Sequence, residues 1–301
     1  MDSSLRIEHK LKSARLFEAQ GKPLHALQIY TSLIEEFPEH ADTYCCLAEL
    51  YEALNKIESS ISLLKSFLAE NPENKEVRLF LGQFLLRNSR WEQAIEFLEY
   101  FLPEEEPMAA FFLGFSYFML KDYERAKISF INFIAVEKQT ELLHEAHIYL
   151  AKIEIQLKNF ESALSFAQKA NVIYSNFWEL NLIFAITYYN LGMYAHAVVP
   201  AEKAVKLSPQ EPSPYEWAGK VYSKLGEYTK AEEKFLKYIE LIEDATSDIY
   251  ARLAEVCLKI KKPKDALAYF DVALKLDPQN KTAMQGKQNA SNIINGIVND
   301  G

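Results

Sequence analysis

Residues 250–278 read YARLAEVCLKIKKPKDALAYFDVALKLDP, and this stretch decides the fold. Its markers are Tyr250, Leu253 and Ala254, then Ala266, Phe270, Ala273 and Pro278. They return one unit earlier as Gly219, Tyr222, Gly226, Ala231 and Phe235. Before that stand Phe184, Ala185, Tyr188, Gly192, Ala197, Ala204 and Pro209. A period of about 34 residues is too long for one helix or strand and marks a supersecondary unit stacked on copies of itself. The markers place eight units, at 7–40, 41–74, 75–106, 107–143, 144–177, 178–211, 212–246 and 247–280.

Within every unit a small residue on the first predicted helix is matched to one on the second. The pairs are Ala14 with Ala26, Ala48 with Ser60, Gly82 with Ala94 and Gly114 with Ala126. They continue as Ala151 with Ala163, Ala185 with Ala197, Gly219 with Ala231 and Ala254 with Ala266. Small side chains at both places let two helix axes approach to the near end of the usual range, about 8–10 Å. Glycine and proline punctuate the same scheme. Gly82, Gly114 and Gly219 fill the small position, Gly21, Gly192 and Gly226 the turn between helices, and the other three glycines lie in the C-terminal tail. A helix-ending turn needs positive φ, which glycine supplies. Pro23 and Pro263 open second helices, where a missing N–H costs nothing, and Pro38, Pro72, Pro209 and Pro278 close units. Pro200 falls inside a predicted second helix, at a cost of roughly 3 kcal/mol unless that helix kinks.

A large residue, Leu-Gly or Leu-Ala and Tyr on one helix, followed by Ala-x-x-x-Phe and Pro on the next, resembles the tetratricopeptide repeat family. The resemblance covers nearly the whole chain. It implies an all-α fold of sixteen antiparallel helices, wound as one right-handed superhelical solenoid over 1–301 with an extended concave surface. A final helix over 281–297 is expected as a cap, with Ala283, Met284, Ile293, Ile294 and Ile297 covering the last repeat. The third unit is short and ends in the acidic loop Pro103-Glu104-Glu105-Glu106-Pro107, and the fourth carries extra residues near Glu137 to Leu143. At the front, Lys10 and Ser13 stand where core residues belong, which suits an end facing water.

Charge is spread unevenly. The 301 residues carry a net −9; residues 1–150 hold 15 Lys and Arg against 24 Asp and Glu, and the remainder 18 of each. An acidic first half without a basic stripe argues against nucleic acid, whose phosphates need clustered cations. Three cysteines make no disulfide framework: Cys45 and Cys46 are adjacent on a helix and point apart, and Cys257 takes the place of a buried Tyr. A reducing, cytoplasmic setting follows. No signal peptide is visible at Met1-Asp2-Ser3-Ser4, and the longest apolar stretch, Met108 to Leu120, is too short to cross a bilayer.

The resemblance also implies where partners bind, because in this family the first helices line the concave face and contacts come largely from positions 2, 5, 9 and 12 of the unit. Those positions are Met108, Phe111, Phe115 and Phe118 in the fourth unit. The fifth unit offers Ile148, Lys152 and Ile155 beside Glu145, and the sixth Leu182, Ile186 and Tyr189 beside Glu179. The fourth first helix is apolar all round, so it is either buried on both sides or meets a ligand. A patch of this kind spans on the order of 400 Å². The alternative is that neighbouring helices bury the rings. Equivalent positions are acidic in the first two units (Glu8, Glu18, Asp42, Glu49 and Glu52, with Arg15), and mixed in the last two, where Lys220, Lys224, Arg252 and Lys259 stand beside Glu216, Asp248 and Glu255. Such a gradient would orient a bound peptide.

The carboxylate clamp of the chaperone-binding members is not matched. Its places hold Leu11, Arg15, Cys46, Glu76 and Phe80. His144 and His147 flank Glu145, but His147 falls on a core position and no third ligand is patterned nearby, so neither a metal nor a cofactor is expected. No pair of groups is set up for catalysis. The expected function is a non-enzymatic scaffold or adaptor holding a peptide or helix in its groove. A self-associating structural subunit and a small-molecule or peptide sensor are the alternatives.

Overall fold

A computed structural model describes residues 3–138 and 141–296. The described residues form seventeen helices and no strand. The chain divides into two compact units, Met1–Thr140 and Glu141–Gly301. The first contains α1 (Ser3–Ala19), α2 (Pro23–Glu36), α3 (Ala41–Ala53), α4 (Ile57–Glu70), α5 (Lys75–Arg87), α6 (Trp91–Leu98), α7 (Pro107–Met119) and α8 (Tyr123–Val136). The second contains α9 (Leu142–Gln156), α10 (Phe160–Ile173), α11 (Trp178–Asn190), α12 (Tyr194–Leu207) and α13 (Pro212–Lys224). It continues with α14 (Tyr228–Leu241), α15 (Ser247–Lys259), α16 (Pro263–Leu276) and α17 (Lys281–Ile294). Odd and even helices pair as eight hairpins, with α17 packed on α15 and α16. The two residues between Lys138 and Glu141, part of the insertion expected near Glu137 to Leu143, lie outside the described residues.

One turn geometry closes all eight hairpins. Positive φ occurs at Gly21, Asn55, Ser89, Lys121, Lys158, Gly192, Gly226 and Lys261, one residue per hairpin. At each, the N–H of the following residue reaches back over the helix end, as from Lys56 to the carbonyl of Tyr51 at 2.8 Å and from Lys262 to that of Cys257 at 2.8 Å. This is the Schellman closure, which satisfies carbonyls that the helix leaves bare. Sequence shows the turn only where glycine fills it. Five hairpins use a residue with a side chain there, at a steric cost of roughly 1–2 kcal/mol each.

At the three glycine positions the nearest neighbour is a large side chain of the facing helix. A Cβ on Gly82 would lie 2.5 Å from Leu98, one on Gly114 2.9 Å from the Phe130 ring, and one on Gly219 2.6 Å from the Phe235 ring. The glycine makes room for a large side chain sixteen residues on, and the Ala of the second helix is fully buried as well. Gly286, in the tail, makes room in the same way for the Phe270 ring, sixteen residues before it. Where Ser60 replaces Ala, its hydroxyl is buried and donates to the carbonyl of Ala48 at 2.7 Å, so the substitution leaves no polar atom stranded.

Other expectations are amended by packing. Ala283 and Ala290 seat α17, whereas Met284 (45% exposed) and Ile294 (39%) face water and Ile293 is half-buried. Ile297 lies outside the described residues. The helix α12 runs through Pro200 without ending. Cys45 and Cys46 do point apart, one into the core of α3–α7 and the other into that of α1–α3, and Cys257 is fully buried. Lys10 is half-buried and reaches Glu36 and Ser32. No helix among the described residues is long and apolar enough to cross a membrane.

Two outcomes follow for stability. Lys158→Gly relieves the left-handed strain while adding unfolded-state freedom of roughly 0.4–1 kcal/mol, so urea unfolding shows a net gain of about 0.5–1 kcal/mol; a loss contradicts the turn assignment. Gly219→Ala adds about 1 kcal/mol of helix propensity but drives a methyl into Phe235, an overpacking cost of roughly 1–3 kcal/mol. The balance is a loss of up to about 2 kcal/mol by the same measurement, and a stabilised variant contradicts the packing.

Candidate functional site

The fourth first helix owes its apolar surface largely to its own unit. Phe111 on α7 is only 6% exposed, its ring 5.5 Å from Phe130 and 5.2 Å from Phe133 on α8. Phe115 is half-buried, edge-on to Trp91 of α6 at 5.6 Å. Phe118 is half-buried against Tyr123 at 5.9 Å, and Met108 is half-buried at the helix start. A helix wedged between α6 and α8 needs apolar residues on both flanks, which accounts for its all-round pattern. Phe111 is therefore a core ring and leaves the candidate set. The other three candidates on this helix, Met108, Phe115 and Phe118, keep partial access to solvent.

In the second unit Ile148 is also core. It is 3% exposed and packs among Ala151, Leu180 and Ile183. The remaining candidates of α9 and α11 converge. Lys152, Ile155, Leu182 and Ile186 line one cleft of about 250 Å³, joined by Gln156, Trp178, Glu179 and Ile183. Residues i, i+3, i+4 and i+7 of a helix share a face, so these positions meet once α9 and α11 lie side by side. At the rim, Lys152 Nζ donates to Glu179 Oε2 at 2.6 Å and lies 5.3 Å from the Tyr149 ring. Burial, and next the carboxylate of Glu145, push the Tyr149 hydroxyl up to about 12. It stays neutral at neutral pH. Tyr189 stands one turn beyond Ile186, half-buried and edge-on to Trp217 of α13 at 5.5 Å.

The cleft is smaller than the roughly 300–1,000 Å³ of small-molecule sites, so it suits single side chains of a larger partner. Sequence reasoning missed Trp178. It is the first residue of its unit, outside the positions 2, 5, 9 and 12, and only the start of α11 at that residue brings its ring to the rim. The two histidines are structural. His144 is buried with Nδ1 3.0 Å from the carbonyl of Ala170 and its ring among Tyr174 and Phe177. His147 Nδ1 lies 2.6 Å from the carbonyl of Leu143, and burial holds its pKa below the ordinary imidazole value. Among the described residues no group of three His, Cys, Asp or Glu could hold a metal.

With this geometry in hand, the likenesses are specific about architecture. Tetratricopeptide repeat signatures match residues 10–40, 45–107, 212–244 and 247–280. No curated protein matches the chain. Among solved structures, the chain is similar to the APC/C hetero-tetramer Cut9-Hcn1, with a TM-score of 0.60 and 17% identity over 93% of this chain and 55% of that one. It is also similar to pilF of Pseudomonas aeruginosa (TM-score 0.60, 15% identity, 72% of this chain and 98% of that one). PilW, a widely conserved type IV pilus biogenesis factor, gives a TM-score of 0.58 at 17% identity over 71% and 98%. At such identities the likeness carries the fold. The chain spans 55% of the length of the first of these structures.

The Lys152–Glu179 pair tests how the cleft is held. Both side chains are about a third exposed (29% and 30%), and pairs of that kind contribute about 0–1 kcal/mol. Lys152→Met should therefore leave the unfolding free energy within about 1 kcal/mol of wild type; a larger loss would make the pair a structural strut instead of a rim contact.

Proposed function

The chain belongs to the tetratricopeptide repeat family, and from that premise we propose that it is a non-enzymatic scaffold whose first helices hold a peptide or helix of a partner protein. The observation that carries this reading is the cleft between α9 and α11, where Lys152, Ile155, Leu182 and Ile186 meet around an apolar floor. Met108, Phe115 and Phe118 offer partly exposed apolar surface on α7 of the first unit, and Tyr189 extends the surface of α11 in the second. Apolar anchors entering such a cleft lose their water, and a few fully desolvated side chains supply most of the energy of an interface. Two structural neighbours are a hetero-tetramer and a type IV pilus biogenesis factor, which suits a scaffold. The setting we propose is a reducing one such as the cytoplasm. All three thiols are buried and unpaired, and burial, then Glu232, pushes that of Cys257 up to about 12.

Self-association is a second reading, favoured by the exposed run Val172 (87%), Ile173 and Tyr174 at the end of α10. Light scattering over a range of concentrations separates the two, and a strict monomer removes the second. For the first, Leu182→Asp places a charge on the cleft floor. Affinity capture from the native lysate should lose its partner by about tenfold or more, with melting unchanged. Undiminished capture by a folded variant discards the cleft as the docking site, and Phe115→Asp run beside it reports separately on α7.

A further inference from the structure

The second unit holds a larger concavity than the apolar cleft. It measures about 840 Å³ and lies among α13, α15 and α17, with Tyr189 of α11 at one end. Its origin is a matter of spacing. The backbones of α11 and α13 approach closely, as do those of α15 and α17, while α13 and α15 stand further apart. The link between α14 and α15 runs over 242–246, one residue more than the 208–211 link between α12 and α13.

Cations dominate the charged lining of this concavity. Lys220, Lys224, Arg252, Lys259 and Lys261 face it against a single carboxylate, Glu255. Lys220 is already engaged, paired with Glu216 at 2.5 Å and 4.1 Å over the Trp217 ring. Lys224, Arg252, Lys259 and Lys261 are exposed and make no ion pair among the described residues. The unit as a whole points the other way, with 18 Lys and Arg against 20 Asp and Glu over 141–301. Helix ends explain part of this. Lys224 and Lys259 sit in last turns, where a cation meets the negative end of the helix dipole. Arg252 and Lys220 are mid-helix, where no such demand exists. Beneath the cationic rim the floor is apolar, built from Val256, Leu258 and Ile293, with the Phe235 ring below and the bare backbone of Gly286 alongside. The face of α17 turned to it is neutral and polar, through Thr282, Gln285 and Asn289.

We infer that this concavity binds an acidic peptide segment of the partner protein, one that alternates Asp or Glu with aliphatic or aromatic side chains. The cations take its carboxylates and the floor takes its apolar residues. A nucleic-acid strand would satisfy the rim but leave the floor wet, and the net negative charge of the unit opposes its approach. Ile186 of the apolar cleft and Tyr189 of the basic one are neighbouring turns of α11, so one extended segment passes from the first into the second. The inference rests on the reading of the first-helix face as the docking face, and it adds the partner's charge and its direction along that face.

The test uses the full chain and a fluorescein-labelled peptide of three Asp-Glu-Leu-Phe repeats, with an Asn-Gln-Leu-Phe peptide as its uncharged twin. Fluorescence anisotropy should show the acidic peptide binding at least about tenfold tighter than the amide twin, with affinity falling steeply between about 0.05 M and 0.3 M salt. Lys224→Glu combined with Arg252→Glu should weaken it by about tenfold or more, and Lys224→Gln with Arg252→Gln by a smaller factor. Both positions are exposed, and a circular dichroism melt verifies that each variant folds. Equal binding of the two peptides, or charge reversal without effect, overturns the inference. So does a single-stranded DNA of matched charge that binds tighter than the peptide and is lost with the same reversal. Peptide binding that charge reversal leaves intact but Leu182→Asp abolishes discards the acidic segment and keeps the scaffold; binding indifferent to both sets of changes discards both.

Discussion

The fold depends on how closely the two helices of each hairpin can approach. Gly82, Gly114 and Gly219 have no side chain, and the volume a Cβ would occupy is filled by Leu98, Phe130 and Phe235 from the facing helix. A methyl group there would force either the ring or the helix to move, in an interior packed as densely as an organic crystal. The second helix is thereby fixed against the first. In the second unit, part of the opposite side of α9 and of α11 forms a common cleft. Core and candidate site are two faces of the same helices, which is why a short periodic sequence pattern speaks to both.

Much of the architecture was legible because its physical demands recur at fixed spacing. Six of the eight hairpins lie inside the stretches that the Ala and Gly markers set out, while α1 begins at Ser3 and α9 at Leu142, ahead of theirs. The turn is the instructive exception. Glycine announced it at Gly21, Gly192 and Gly226, yet Asn55, Ser89, Lys121, Lys158 and Lys261 adopt the same backbone with a side chain attached. Local propensity is overruled there by the closure of the whole hairpin, which one residue's preference cannot oppose. Gly286 was legible as a tail glycine and no more; its role exists only because α17 folds back onto Phe270.

The site was half legible. The resemblance implied Lys152, Ile155, Leu182 and Ile186 as inner-face residues of two first helices, and tertiary packing brought them together. The same logic failed for Phe111 and Ile148, whose neighbours α8 and α11 lie close enough to bury them. Nothing in one sequence reports the distance between adjacent helices, so an apolar residue on the inner face can be either anchor or core. The basic concavity shows the same limit from the other side. Lys220, Lys224, Arg252 and Lys259 were visible as charges in the last two units, but their convergence, and the part played by Lys261 on its turn, required the wider separation of α13 and α15.

The central claim is that partners meet the odd-numbered helices and leave the even-numbered ones untouched. Amide hydrogen exchange on the protein with its captured partner bound, compared with the protein alone, tests this at the level of single helices. Slowed exchange along α9, α11 and α13, with α10, α12 and α14 unchanged, is the predicted result. Protection confined to the even-numbered helices, or spread over neither set, would contradict it.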